Sequence, residues 1–101
     1  MPYARPPHGP RVETLARQAA MSERHFRRRF KLLTQMSILD YIAGIRLQRA
    51  KALMIETAWP LARIAAETGF GDERQLRRSW ARVEKVTPSA WRRAETMTSQ
   101  N

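Results

Sequence analysis

From Val12 onward, apolar residues recur every three or four positions, the spacing that places them on one side of an α-helix. No stretch alternates between apolar and polar residues in the way that a half-buried strand does. The pattern predicts an all-α chain with five or six helices and no sheet. The first helix is expected to begin at Val12 and end near Ala20, and the second to run from about Glu23 to Leu33.

Capping residues and prolines predict the other helix boundaries. Ser37, followed three positions later by Asp40, resembles a capping box that opens a third helix. Pro60 ends that stretch, because the residue before a proline is pushed out of the α region. Gly69 suits the position just after a short fourth helix. The third helix is therefore expected to end near Glu56. The fifth helix is expected to run from Glu73 to about Glu84, and the sixth from Thr87-Pro88 through Trp91.

The chain contains an internal repeat. Residues 23–30 and residues 73–80, fifty positions later, both read Glu-Arg-x-apolar-Arg-Arg-x-aromatic. Downstream, Tyr41 corresponds to Trp91, and upstream, after one inserted residue, Ala20-Met21 corresponds to Gly69-Phe70. A short helix, a tight turn and a basic helix therefore occur twice, which is the order of elements in a helix-turn-helix unit.

Each basic helix is predicted to have an apolar side and a basic side. At 100° per residue, Phe26, Phe30 and Leu33 share one side of the first helix. In the repeat, the inward residues are Leu76, Trp80 and Val83, and arginines point away from them. A solvated helix face normally mixes both signs of charge, whereas these two faces are nearly all positive. An α-helix fits the major groove, and arginine can grip guanine through two hydrogen bonds.

Composition narrows the class of partner. The chain has 101 residues, enough for one compact domain, and its 19 Lys and Arg outnumber 9 Asp and Glu to give a net charge of +10. Such a charge indicates a polyanionic partner, either nucleic acid or an anionic membrane surface. No apolar run approaches the roughly 20 residues of a membrane span, and the N-terminal residues lack the apolar segment that we would expect of a signal peptide. We therefore expect a cytoplasmic protein without a membrane partner.

Catalytic chemistry has no support in the sequence. The chain has no cysteine, which excludes a thiolate metal site and a cysteine nucleophile. Its histidines, His8 and His25, have no metal-ligand spacing to acidic residues, and no glycine-rich phosphate loop occurs. The sequence predicts no catalytic residue, no metal and no cofactor, and hence a protein that is not an enzyme.

Several motifs together resemble the DNA-binding domain of the AraC/XylS family of transcription regulators. They include Met21-Ser22, Arg46-Leu47, Gly69-Phe70 and the closing stretch from Thr87-Pro88 to Trp91-Arg92, and the resemblance covers about residues 12–93. It implies two homeodomain-like helix-turn-helix subdomains joined by a long helix, each with its second helix in the major groove. It also implies half-sites about one turn, roughly 34 Å, apart. A linking helix of about 19 residues would be roughly 28 Å long.

The prolines and the repeat divide the chain into segments, and the resemblance assigns DNA contacts to them by position. Residues 1–11 form a proline-rich arm, 12–36 the first unit, 37–57 the linking helix, 58–93 the second unit and 94–101 a C-terminal tail. The base-reading candidates are Arg24, Arg27 and Arg28 in the first unit and Glu73, Arg74 and Arg78 in the second. The phosphate-contact candidates are Lys31, Gln75 and Arg77.

The chain departs from the family pattern in ways that leave alternatives open. The arm stands where family members have a leading helix, so the first unit is expected to be weakly supported. Gln35 and Lys85 stand where glycine is usual, and Glu84 occupies an inner position where an aromatic is usual. Trp59 matches nothing in the repeat; it is expected to pack over the linking helix, and the alternative is that it is exposed as a contact for a partner.

The partners expected from the sequence are double-stranded DNA and, as a further candidate, RNA polymerase. The chain is expected to be a monomer on DNA unless a domain outside it causes dimerisation. The alternatives are a basic domain that binds nucleic acid without sequence preference and a non-autonomous fragment of a larger regulator.

Overall fold

The computed structural model describes residues 11–99 and shows six helices with no strand among them. The all-α prediction is confirmed, and the predicted arm lies outside the described residues except for Arg11. The helices are α1 (Val12–Gln18), α2 (Glu23–Thr34), α3 (Ile38–Glu56), α4 (Leu61–Glu67), α5 (Glu73–Val83) and α6 (Pro88–Ser99). In each unit a short helix precedes a basic one, and α3 links the two units.

Two helix ends differ from the prediction. Helix α1 ends at Gln18 rather than near Ala20. Helix α6 continues to Ser99, so residues 94–99, which were expected to form a C-terminal tail, are part of the last helix. Nothing after Pro88 breaks that helix, since the segment contains neither glycine nor proline. Within this last helix, the hydroxyl of Thr96 donates a hydrogen bond to the Arg92 carbonyl at 2.8 Å.

The turns of the two helix-turn-helix units have the same hydrogen bonds. The backbone N–H of Met21 donates to the Ala16 carbonyl at 2.9 Å, and that of Phe70 donates to the Ala65 carbonyl at 3.1 Å. Both are the six-to-one bond of a Schellman motif, which requires a left-handed residue just before the donor. In the second unit this residue is Gly69, with φ of 93°, so the predicted role of Gly69 is confirmed.

In the first unit the left-handed position is occupied by Ala20, with φ of 57°. The left-handed conformation destabilises the fold by about 1–2 kcal/mol when the residue has a Cβ atom. For glycine the destabilisation is smaller and entropic. We therefore expect Ala20→Gly to raise the free energy of unfolding by about 1 kcal/mol, measured by thermal unfolding. Ala19→Gly is the matched control, because Ala19 has a φ of −86° and the change relieves no strain. Equal effects of the two changes would contradict the assigned strain.

The larger core belongs to the second unit. Its buried residues come from the second half of α3 and from α4 and α5; they are Leu47, Ala50, Met54, Ile64, Ala65, Leu76 and Trp80. The partly buried Trp59 and Trp91 pack against them. The rings of Trp80 and Trp91 meet edge to face, with centroids 5.5 Å apart. The expected packing of Trp59 is confirmed, and the Arg63 guanidinium lies 3.7 Å from the centre of its ring.

The core of the first unit is small. It consists of Val12, Ile38 and Ile42, with Phe26 and Phe30 only partly buried against them. No residue of α2 is fully buried. The expectation of a weakly supported first unit therefore agrees with its packing.

The inward positions predicted for Leu33 and Val83 are wrong. Leu33 is 73% exposed and Val83 is 66% exposed. Each lies one turn beyond the aromatic residue, Phe30 or Trp80, that makes the last core contact of its helix. Helical spacing predicts the direction of a side chain, but both helices extend past the residues that would cover these ends.

The position of Glu84 is also explained by the structure. It is the C-cap of α5 rather than part of the inner face of the helix. Its carboxylate accepts a hydrogen bond from the Lys51 ammonium of α3 at 2.5 Å, and that ammonium also lies 5.3 Å from the centre of the Trp80 ring. The acidic residue therefore pairs with a cation that sits over an aromatic core.

Candidate nucleic-acid interface

The two basic helices begin in the same way. The Ser22 side chain accepts a hydrogen bond from the backbone N–H of His25 at 3.1 Å. The Asp72 side chain accepts one from Gln75 at 2.8 Å. These N-caps satisfy backbone donors at the helix starts. They hold the first turns of α2 and α5 in equivalent conformations, with the arginines at equivalent positions.

An ion pair within each basic helix is also repeated. Arg27 donates to the Glu23 carboxylate at 2.7 Å, and Arg77 donates to the Glu73 carboxylate at 3.0 Å. Both pairs have the four-residue spacing that brings side chains together on a helix surface. Three of the predicted contact residues, Arg27, Glu73 and Arg77, are therefore held along their own helices.

The other six predicted contact residues are exposed. None of them takes part in an ion pair with another residue of the described range 11–99; they are Arg24, Arg28, Lys31, Arg74, Gln75 and Arg78. In the first unit, Arg24, His25 and Arg28 line a shallow pocket of about 380 Å³ with Ser22. This pocket lies at the N-terminus of α2, where the backbone dipole adds to the positive charge of the side chains.

A second group of arginines lies between α1, α2 and α3. Arg11, Arg27 and Arg46 line a pocket there together with Glu13 and Glu23. Burial, and to a lesser extent the nearby charge of Arg11, lowers the pKa of the Arg46 guanidinium. The sequence singled out Arg46 only as part of a family motif, because nothing in its local pattern shows what surrounds it.

Sequence reasoning missed the ion pair that joins the two units. Arg82, in the last turn of α5, lies 3.1 Å from the Asp40 carboxylate at the start of α3. The two residues are far apart in sequence, so helical periodicity carries no signal of their proximity. Both side chains are substantially exposed.

The described part of the chain contains neither a metal site nor a membrane-spanning helix. No group of three or more His, Cys, Asp or Glu side chains within residues 11–99 is arranged to hold a metal ion. Within the same range, every helix is too short or too polar to cross a membrane.

Two repeated units, each presenting a basic second helix to solvent, define a helix-turn-helix DNA-binding protein. Residues 15–94 match the sequence profile described as "Helix-turn-helix domain". The chain therefore belongs to this family, the AraC-type helix-turn-helix domains, and the family resemblance seen in the sequence is confirmed.

Two relatives and two solved structures illustrate the relationship. The HTH-type transcriptional regulator Rv1931c of Mycobacterium tuberculosis is 37% identical over 84 residues, covering 83% of this chain and 32% of the relative. The HTH-type transcriptional activator RhaR of Salmonella arizonae is 28% identical over 81 residues, covering 80% and 29%. This chain thus spans about a third of the length of these relatives.

The DNA-binding domain of AdpA, a global transcriptional factor solved in complex with a target DNA, is 33% identical to this chain. The match covers 86% of this chain and 78% of the AdpA chain, with a TM-score of 0.73. The C-terminal domain of the response regulator yesN from Fusobacterium nucleatum is 23% identical, with a TM-score of 0.71, and covers 81% and 80%. The second likeness concerns the fold alone.

Proposed function

We propose that this chain binds double-stranded DNA in a sequence-specific manner and regulates transcription, with α2 and α5 in adjacent major grooves. The observation that carries the proposal is the repeat of one exposed basic helix on two equivalent frames. In both helices, exposed arginines that form no ion pair within residues 11–99 lie on the side opposite the aromatic residues that pack inward. Each of the two helix-turn-helix units thus presents one helix suited to a major groove.

Within this proposal the side chains have different tasks. Base edges are read by Arg24, Arg28, Arg74 and Arg78, whose guanidinium groups are exposed and have no ion-pair partner within residues 11–99. Arg27 and Glu73 remain base-reading candidates, with the added requirement that their intrahelical ion pairs open or reorient on DNA. Lys31, Gln75 and Arg77 contact phosphates and fix the register of each helix.

The relatives support a regulatory role at the level of the whole protein. RhaR is named as a transcriptional activator, Rv1931c as a transcriptional regulator, and AdpA is a transcription factor seen with its target DNA. We further propose that the chain is a monomer on DNA unless a domain outside it causes dimerisation, that RNA polymerase is a further partner, and that the chain has no catalytic activity. A cytoplasmic location is proposed as well, since DNA is the partner.

Selection from a random duplex library tests the proposal directly. The purified chain is used at roughly 150 mM salt, which suppresses purely electrostatic binding. Enrichment of a motif with two separated halves is the expected result. Enrichment of one half alone would mean that the weakly packed first unit does not read DNA. Binding at low salt without any enrichment would replace the proposal with a non-specific nucleic-acid binder.

Replacing Lys31 with alanine should mainly change the salt dependence of binding. Each phosphate contact contributes about 0.9 to the slope of log affinity against log salt concentration. We therefore expect Lys31→Ala to flatten the slope by about one unit and to weaken all sequences alike. Fluorescence anisotropy between roughly 50 and 200 mM salt measures the slope. Lys31→Arg keeps the charge and should keep the slope; a loss of sequence preference in Lys31→Ala would contradict the assignment.

A further inference from the structure

Helix α3 belongs to both units. Its first half contributes Ile38 and Ile42 to the small core, and its second half contributes Leu47 to the large one. Gly44 lies between these halves and is exposed, and a Cβ atom added there would meet nothing within 4 Å. Because glycine weakens a helix interior, Gly44 lowers the stability of the linking helix where it passes from one unit to the other.

The two units are also incompletely packed against each other beside Gly44. A groove of about 590 Å³ separates the first half of α3 from the last turn of α5, and Tyr41, Ile45 and Val83 are among the apolar residues that line it. The ion pair between Asp40 and Arg82, at 3.1 Å, joins the two walls of this groove. The other ion pair between α3 and α5, Lys51 with Glu84, lies on the second half of α3 and so within the second unit.

We propose that the Asp40–Arg82 pair acts as a strut that sets the position of α2 relative to α5, and thereby the spacing between the two half-sites. This inference rests on the proposed function. Inserting one base pair between half-sites moves the second by about 3.4 Å and rotates it by roughly 35° about the duplex axis. Because the ion pair joins the two walls of the groove, breaking it frees α5 to move relative to the first half of α3. Asp40 and Arg82 are positioning residues in this account and need not touch DNA.

The test measures affinity for the selected operator and for operators whose spacer is one base pair shorter or longer. The unaltered chain should prefer one spacer. Arg82→Met removes the charge and keeps most of the side-chain stem, and Asp40→Asn removes the opposite charge with nearly the same shape. Each should reduce the preference for that spacer by about two- to fivefold, the range that an exposed ion pair allows. The double variant should reduce it no further, because both changes break the same pair.

Three matched variants sharpen the result. Lys85→Met removes an exposed positive charge just beyond α5 and should weaken binding equally at every spacer. Arg82→Lys keeps a cation opposite Asp40 and should retain most of the preference. Gly44→Ala stiffens the linking helix without a clash and should sharpen the preference. If Arg82→Met weakened all spacers equally while Asp40→Asn had no effect, Arg82 would be a phosphate contact and the strut would be rejected.

A measurement without DNA separates failure of the strut from failure of the proposed function. The chain contains no cysteine, so Gln18→Cys in α1 and Glu67→Cys in α4 place one spin label on each unit at exposed positions. The distance distribution between the labels should broaden or shift when Arg82→Met or Asp40→Asn is added, and should be unchanged by Lys85→Met. An unchanged distribution in both strut variants would overturn the inference even if a bipartite operator is selected. A broadened distribution in a chain that selects no operator would retain the strut as a structural contact and reject its role in spacing.

Discussion

Replacing Arg78 with alanine should lower the affinity for the selected operator by roughly ten- to hundredfold and leave the affinity for random duplex within about twofold. A good bidentate contact to guanine contributes about 1–3 kcal/mol of discrimination, and only the correct sequence offers it. Arg78 is exposed, points away from Leu76 and Trp80, and has no ion-pair partner among residues 11–99. Arg28 occupies the equivalent position in α2, so Arg28→Ala should produce the same loss in the other half-site.

The measurement compares each variant on the operator and on single-base substitutions within each half. Arg78→Ala should flatten the preference at one or two adjacent positions of one half and leave the other half unchanged. Arg77→Ala is the matched control, because it removes the same charge from the preceding residue of α5 and breaks the pair with Glu73. Base reading by Arg78 would be refuted if both variants weakened every sequence to the same extent.

The features that the sequence predicted well are those determined by local geometry. The N-cap predicted at Ser37 is seen in the structure as a hydrogen bond from the Asp40 backbone N–H to the Ser37 hydroxyl at 3.1 Å, whereas the Asp40 carboxylate, the second half of the predicted capping box, pairs with Arg82. The correspondence of Tyr41 with Trp91 also holds in space. The rings of Phe30 and Tyr41 lie 5.3 Å apart, close to the 5.5 Å between Trp80 and Trp91. The repeat in the sequence thus predicted a repeated contact, because the two aromatic residues are equally far apart in the sequence of each unit.

Features that depend on distant segments could not be predicted in this way. The exposure of Leu33 depends on how far α1 and α3 extend over α2, which the periodicity of α2 does not contain. Glu84 was unexplained by sequence because its partner, Lys51, lies on another helix. Long-range ion pairs leave no periodic signal in a single sequence, whereas the apolar positions of a helix do.

In the candidate interface, too, some features could be predicted from the sequence and others could not. The sequence predicted which two helices are basic and which faces the arginines share, since both follow from helical angles. It assigned different tasks to Arg27 and Arg77, although the structure holds both in the same intrahelical pair with a glutamate. The four-residue spacing to Glu23 and Glu73 could have indicated this pairing. The tasks of individual side chains on DNA remain predictions that the variants above test.

Replacing Arg92 with alanine should cause a large loss of stability, although the side chain is partly exposed. Its guanidinium donates to three backbone carbonyls, those of Met54 at 2.9 Å, Thr57 at 2.7 Å and Trp59 at 2.7 Å. The last carbonyls of a helix have no donor within the helix, and α3 has no basic residue in its own last turn. Arg92 supplies a positive charge and three donors from α6. We expect Arg92→Ala to lower the free energy of unfolding by about 3 kcal/mol, since charged hydrogen bonds contribute more than neutral ones and only part of the loss is recovered by water.

Thermal unfolding measures this loss as a fall in Tm of roughly 15 °C for a domain of this size. Arg93→Ala is the matched control, because Arg93 carries the same charge on the next residue, is exposed, and should change Tm little. Arg92→Lys distinguishes the geometry of the group from its charge. The planar guanidinium points its N–H groups at three carbonyls in different directions, and a single ammonium cannot donate to all three. Lysine should therefore recover less than half of the free energy of unfolding that alanine loses. If Arg92→Lys were as stable as the unaltered chain, a positive charge near the end of α3 would suffice, and the three-way hydrogen bonding would contribute nothing measurable.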